Sequence, residues 1–115
     1  MNQQYPSIDV IKQATDLVTT KWVLAIVFYL RLKQEARFSE IQSGININSR
    51  TLTERLELLE EHHLVVRIES PTPPPHMTYV LTEKGVALTG LMSTLSDWFD
   101  QYYSHDSCLE KGGDV

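Results

Sequence analysis

The stretch from Phe38 to Arg67 constrains this chain more than any other, because several local signals follow one another in it without a spare residue. A short amphipathic segment, Phe38 to Ser43, places Phe38 and Ile41 on one helical face. Gly44, free to take positive φ, is expected to end it. Asn48 then offers a side-chain oxygen to an unpaired amide at the start of the next helix, with Ile47 before it to pack back as a staple. In that helix Leu52, Leu56 and Leu59 fall within about 60° of one another on a helical wheel and so face a core. Arg50, Thr53, Glu54 and Glu57 occupy the opposite arc. A β-branched run, Leu64 to Ser70, follows at once.

A second strand, Met77 to Leu81, pairs naturally with the first across Pro71-Thr72-Pro73-Pro74-Pro75-His76. The prolines predict a stiff, extended loop suited to reaching a phosphate backbone, although a plain spacer has the same composition. The pattern therefore reads as a helix-turn-helix over residues 38–63 followed by a wing over 64–81. Such a unit has one dominant use, which is to lay its second helix in the major groove of double-stranded DNA.

Around this unit the spacing of Ile8, Ile11, Ala14, Thr15 and Val18 predicts a first helix after Pro6. Thr19 and Thr20 are expected to cap a second, from Lys21 to about Leu32, whose apolar residues run nearly all round and mark the centre of the core. Thr82 is the expected cap of a last helix over 83–103, where Leu88, Leu91, Met92, Leu95, Trp98, Phe99 and Tyr102 hold one narrow stripe. That stripe is longer than one small domain needs. Its aromatic end, with Tyr103, fits packing against a second copy, together with Ile8 and Ile11 of the first helix. Closure over the chain's own core is the alternative. The expected fold is a single α+β, mostly α, winged helix-turn-helix domain over 1–115, with a two-stranded wing and terminal dimerisation helices. It is expected to be ordered from about 8 to 103, with a frayed tail over 104–115.

The net charge of −5 looks wrong for a nucleic-acid binder until it is divided along the chain. Residues 1–96 carry ten acids and nine bases, whereas 97–115 hold Asp97, Asp100, Asp106, Glu110 and Asp114 against Lys111 alone. The motif itself is slightly positive through Arg37, Arg50 and Arg55, which predicts modest nonspecific affinity. No Gly-rich phosphate loop, nucleophile elbow or metal-spaced Cys/His set occurs, so neither enzyme chemistry nor a cofactor or metal is expected. The adjacent His62 and His63 point apart on a helix and lack a further ligand at helical spacing. No apolar run is long enough to cross a membrane, and the first residues lack the regions of a signal peptide. The single cysteine, Cys108, sits among acids that disfavour its thiolate; an intersubunit disulfide and an incidental tail thiol are both open to it. Membrane association is not expected, and a cytoplasmic location is.

Candidate DNA contacts follow from position. Ser39 begins the first helix of the motif, while Asn48, Ser49, Arg50, Thr53, Glu54 and Arg55 line the start of the second. Arg50 could fork onto guanine O6 and N7, and Glu54 could accept from a cytosine amine or simply repel phosphate. Arg55 is divided between phosphate contact and an ion pair with an acid such as Glu40. Arg67, His76 and Thr78 are expected to touch the backbone from the wing.

These residues resemble the HxlR-type branch of the MarR-like winged-helix transcriptional regulators over nearly all of Asp9 to Phe99. The resemblance rests on Lys21-Trp22, Arg37-Phe38-Ser39-Glu40-Ile41, Leu52-Thr53-Glu54-Arg55-Leu56 with Leu58-Leu59-Glu60, and Leu64-Val65-Val66-Arg67. Pro74-Pro75, Tyr79-Val80-Leu81-Thr82 and Gly85 complete it. It implies a homodimeric, sequence-specific DNA-binding transcriptional regulator acting on a pseudo-palindromic operator. Many members sense oxidants through a cysteine where Asp9 stands here, and glycines are common at Thr19 and Thr20, a basic residue at His76 and glutamine at Glu54. A small-molecule effector between the terminal helices and the core, lined by Trp22, Phe28, Tyr29 and Trp98, stands beside the reading that these side chains fill a dry core. The competing function is a winged-helix protein–protein interaction module without specific DNA binding.

Overall fold

Short polar side chains cut this chain into its elements. In the computed structural model, which describes residues 5–103, these run α1 (Ile8–Val18), α2 (Val23–Lys33), α3 (Phe38–Ile45), α4 (Ser49–Glu61), β1 (Val65–Glu69), β2 (Met77–Leu81) and α5 (Glu83–Tyr103). Ser7 Oγ accepts from the Val10 amide at 3.2 Å to start α1, and Asn48 Oδ1 accepts from the Thr51 amide at 2.8 Å to start α4. Thr82 Oγ1 accepts from the Gly85 amide at 3.1 Å and donates to the His63 carbonyl at 2.6 Å, fastening the start of α5 to the end of α4. Each cap satisfies an amide that a helix start leaves without a partner.

The start of α2 is different from what its sequence suggests. Thr19 and Thr20 do not cap it: their hydroxyls donate back to the carbonyls of Thr15 and Asp16 at 2.6 and 2.8 Å, finishing α1 instead. The α2 N-cap is Trp22, at φ 78° with no side-chain cap bond. Left-handed corners recur at Gln34 (φ 74°), Asn46 (φ 59°) and His63 (φ 60°), so non-glycine residues turn the chain at the ends of α2, α3 and α4. Gly44 accordingly does not end its helix; α3 continues to Ile45 and is capped by Asn46. A side chain at Gly44 would run into the ring of Tyr29, whose hydroxyl donates to the Glu40 carbonyl at 3.1 Å. The glycine serves close helix packing, not chain reversal.

The core is one cluster. Val23, Ile26, Val27 and Leu30 of α2 meet Ile41 of α3, Leu52, Leu56 and Leu59 of α4, and Ile47, Leu64 and Val65, all essentially buried. The expectation that α2 is enclosed on most sides holds for one face only, since Phe28 and Leu32 on the other are 47% and 63% exposed. β1 and β2 pair antiparallel with Val65 opposite Leu81 and Glu69 opposite Met77. Ala36, in the link between α2 and α3, bridges Tyr79 of β2 through both its amide and its carbonyl, and so clamps the wing to the helix-turn-helix. At the other end of the hairpin the Ser70 amide donates to the His76 carbonyl at 2.7 Å, closing the proline loop at its base.

α1 contributes no buried residue and α5 only Gly85, above which a Cβ would strike the Leu64 carbonyl. The radius of gyration, 17.1 Å, exceeds the roughly 13 Å of a compact domain of about 100 residues, as helices standing off a small core require. Cys108 and the rest of residues 104–115 lie outside the described residues.

Candidate nucleic-acid interface

The exposed face of α4 follows from burying Leu52, Leu56 and Leu59: the three leucines fix the helix roll, so Ser49, Arg50, Thr53, Glu54 and Glu57 must point outward. Arg50 is the freest of these, its side chain 90% exposed in the first turn. Glu54, one turn on, lies with Oε2 3.5 Å from Arg50 Nε and Oε1 3.7 Å from Arg55 Nη1. Thr53 donates its hydroxyl to the Ser49 carbonyl at 2.8 Å and keeps only acceptor capacity for a ligand. Asn48 has spent its side-chain oxygen on the cap and retains its NH2 group. Ser39 is exposed at the start of α3, beside this surface in sequence order and on the same two-helix unit.

Arg55 takes the ion-pair side of its two expected roles, with Glu54 as the acid and a main-chain bond added. Its Nε donates to the Lys21 carbonyl at 2.8 Å and its side chain is 24% exposed, so it ties α4 to the turn before α2. Glu40 is not its partner, because Glu40 Oε1 accepts from the Arg37 amide at 2.8 Å. The guanidinium is a structural strut first, with one edge open to solvent.

Of the three wing residues, Arg67 is exposed but leans back, its Nε 3.5 Å from Glu60 Oε1 of α4. His76 is half-buried; its Nδ1 lies 3.0 Å from the Pro74 carbonyl and 3.4 Å from Arg37 Nη2. Thr78 does not reach outward at all, being 7% exposed with its hydroxyl turned to the Ile68 carbonyl. Buried in this way, it leaves the set of backbone contacts. The residue that sequence reasoning missed is Arg37. Exposed at the N-cap of α3 and close to His76, it adds a cation where motif and wing meet. Its position immediately before the first turn of the motif was the available signal.

Between α4 and the wing, Phe38, Thr53, Leu56, Glu57, Glu60, Arg67 and Tyr79 line a small cavity of about 230 Å³. Burial pushes the Tyr79 hydroxyl above the usual phenol range, and the neighbouring Arg67 guanidinium partly opposes the shift. The other expected pocket does not assemble. Trp22 packs on the core beneath Lys21, Tyr29 turns to α3, Trp98 stands out on α5 against Tyr102 and Tyr103, and only Phe28 borders the α2–α5 groove. Positions 22 and 29 share one side, about two turns apart, while position 28 points about 100° away, so the three do not converge on one pocket.

The dimer-side expectations place as the sequence suggested in one respect: Ile8, Ile11, Leu91, Leu95, Trp98, Phe99 and Tyr102 are all 43–69% exposed within one chain. The aromatics do not close over their own core. Among the described residues no helix is long and apolar enough to cross a membrane, and no group of three or more His, Cys, Asp or Glu gathers.

This geometry is shared with known regulators. The uncharacterized HTH-type transcriptional regulator YvaP of Bacillus subtilis is 38% identical over 92 residues, 79% of this chain and 84% of YvaP. The reduced form of the transcriptional regulator YodB from Bacillus subtilis superposes with a TM-score of 0.76 at 33% identity, over 84% of this chain and 95% of that one. Its quinone-bound form gives 0.71 at 31% identity, over 84% and 100%. Residues 17–107 match the HxlR-like helix-turn-helix family throughout, and the chain is a member of that family of winged-helix, DNA-binding transcriptional regulators.

Proposed function

We propose that the chain acts in the cytoplasm as a homodimer that reads a pseudo-palindromic operator, with α4 of each subunit in the major groove. The outward arc of α4, with Arg50 exposed in its first turn, carries this reading. Ser49, Thr53 and Glu54 complete the base-facing set, while Ser39, Asn48, Arg37, Arg67 and His76 face the backbone. Support for the dimer comes from α1, an 11-residue helix that has no fully buried residue and packs on the core of its own chain through Leu17. A helix this short is marginal in water without packing, so its apolar face and that of α5 call for a partner.

The test is selection of bound duplexes from a random library, with affinity followed over a salt series and mass by light scattering. A dimer bound to an inverted repeat with half-sites about 10 base pairs apart, with a steep salt slope, is the expected outcome. No enrichment at low salt would transfer the weight to a protein-binding role. Effector control belongs in the groove of about 500 Å³ between α2 and α5, where Phe28, Leu32 and Met92 meet Arg31, Thr89, Ser93 and Ser96. A ligand that occupies it but leaves operator affinity unchanged is no effector.

A further inference from the structure

Glu54 is out of place on a helix meant to approach phosphates, unless its charge has a specific use. α4 already carries Glu57, Glu60 and Glu61, and Arg55 spends its Nε on the Lys21 carbonyl. The helix therefore gains little from general attraction. What it does have is an ordered carboxylate. Glu54 is half-exposed and lies between two guanidinium groups of opposite character: Arg50, 90% exposed, and Arg55, 24% exposed and held by main chain. The held cation gives Glu54 Oε1 a fixed neighbour, and leaves Oε2 directed toward Arg50.

Resting on the operator-reading function above, we propose that Glu54 is a specificity-determining residue that selects cytosine near the guanine read by Arg50, with Arg55 as its positioning residue. Residues four apart on a helix share a face and are about 6 Å apart along its axis, against roughly 3.4 Å between successive base pairs. That spacing is nearly two base steps, so Arg50 and Glu54 address positions one to two base pairs apart in one half-site. When Arg50 forks onto guanine O6 and N7, Glu54 loses that partner and needs a donor in its place. Among major-groove edges, cytosine offers the N4 amine with no acceptor beside it, so a carboxylate meets a donor and no repelling lone pair. Adenine presents N7 next to its amine, and guanine and thymine present only acceptors on that edge. The ion pair seen without DNA also neutralises Arg50 until the correct step is met, which holds down binding to random sequence.

The experiment compares libraries selected by the full chain, by Glu54→Gln and by Arg55→Met, with thermal melts to confirm that each variant folds. The wild type should enrich guanine with cytosine one or two base pairs away from it. Glutamine, which bonds adenine N6 and N7 together, should move that position alone from cytosine to adenine, with a change in preference of roughly tenfold or more and guanine retained. Arg55→Met should flatten the cytosine position while sparing the guanine; a merely structural strut would weaken all sequences alike. If Glu54→Gln tightens every sequence equally and leaves the cytosine in place, Glu54 only repels phosphate and the assignment fails while operator reading stands. If the wild type enriches no half-site, operator reading itself fails.

Discussion

At the scale of single residues, solvent exposure separates readers from struts among side chains of the same type. Arg50 and Arg55 lie five positions apart and both looked available, yet one is held only by an exposed ion pair to Glu54 and the other is fixed to the Lys21 carbonyl. Arg50→Ala should weaken operator binding by roughly 1–3 kcal/mol while random DNA is bound almost as before, which parallel titrations of both duplexes would establish. An equal loss on both would make Arg50 a phosphate clamp. Tyr79 makes a separate prediction about pH. Its folded pKa lies above the unfolded value near 10, so the stability it supplies is fully present below about pH 10 and is lost as pH rises through the folded pKa. Denaturant midpoints of the wild type should therefore fall faster above pH 10 than those of Tyr79→Phe. Parallel curves would exclude the linkage.

At the scale of elements, what the sequence made legible was wherever a local signal and the tertiary structure agree. Asn48 has the right side chain before a leucine-striped helix, and it caps α4 as expected; Asn48→Ala should lower stability by about 1 kcal/mol, measured by chemical unfolding. Thr82 likewise caps α5. The misreadings arose where packing chose between two locally acceptable conformations. Threonine can cap a following helix or bond back to a preceding one, and Thr19 and Thr20 do the latter. Glycine can turn a chain or admit a neighbour, and Gly44 admits Tyr29. The bridge of Ala36 to Tyr79 spans more than forty residues and carries no local mark at all. Within the interface, Thr78 is buried although its register partner Ile68 and its neighbour Met77 are exposed, a covering that strand alternation alone does not foretell.

At the scale of the whole molecule, one small core supports two helices that touch it only in part, α1 through Leu17 and α5 through Gly85, Leu88 and Met92, and leave most of their apolar side chains exposed. A charge placed among the exposed apolar residues of α5 should tell whether a second copy covers them. Leu95→Glu is expected to halve the mass seen by light scattering and to reduce operator affinity by at least about a hundredfold, since two linked heads bind far more tightly than one. A monomeric wild type with unchanged affinity in the variant would remove the dimer. The same small core is turned at four corners, Trp22, Gln34, Asn46 and His63, that L-residues other than asparagine occupy only under strain. Relaxing such a corner returns about 1–2 kcal/mol, while glycine's extra freedom in the unfolded chain withdraws roughly 0.5–1 kcal/mol. Gln34→Gly, at the most unusual of these corners and on the surface, should thus raise the urea midpoint by the equivalent of a few tenths to about 1 kcal/mol. The joints between the helices hold an untapped margin of thermal endurance, and an engineer could draw on it without altering a single group that faces DNA.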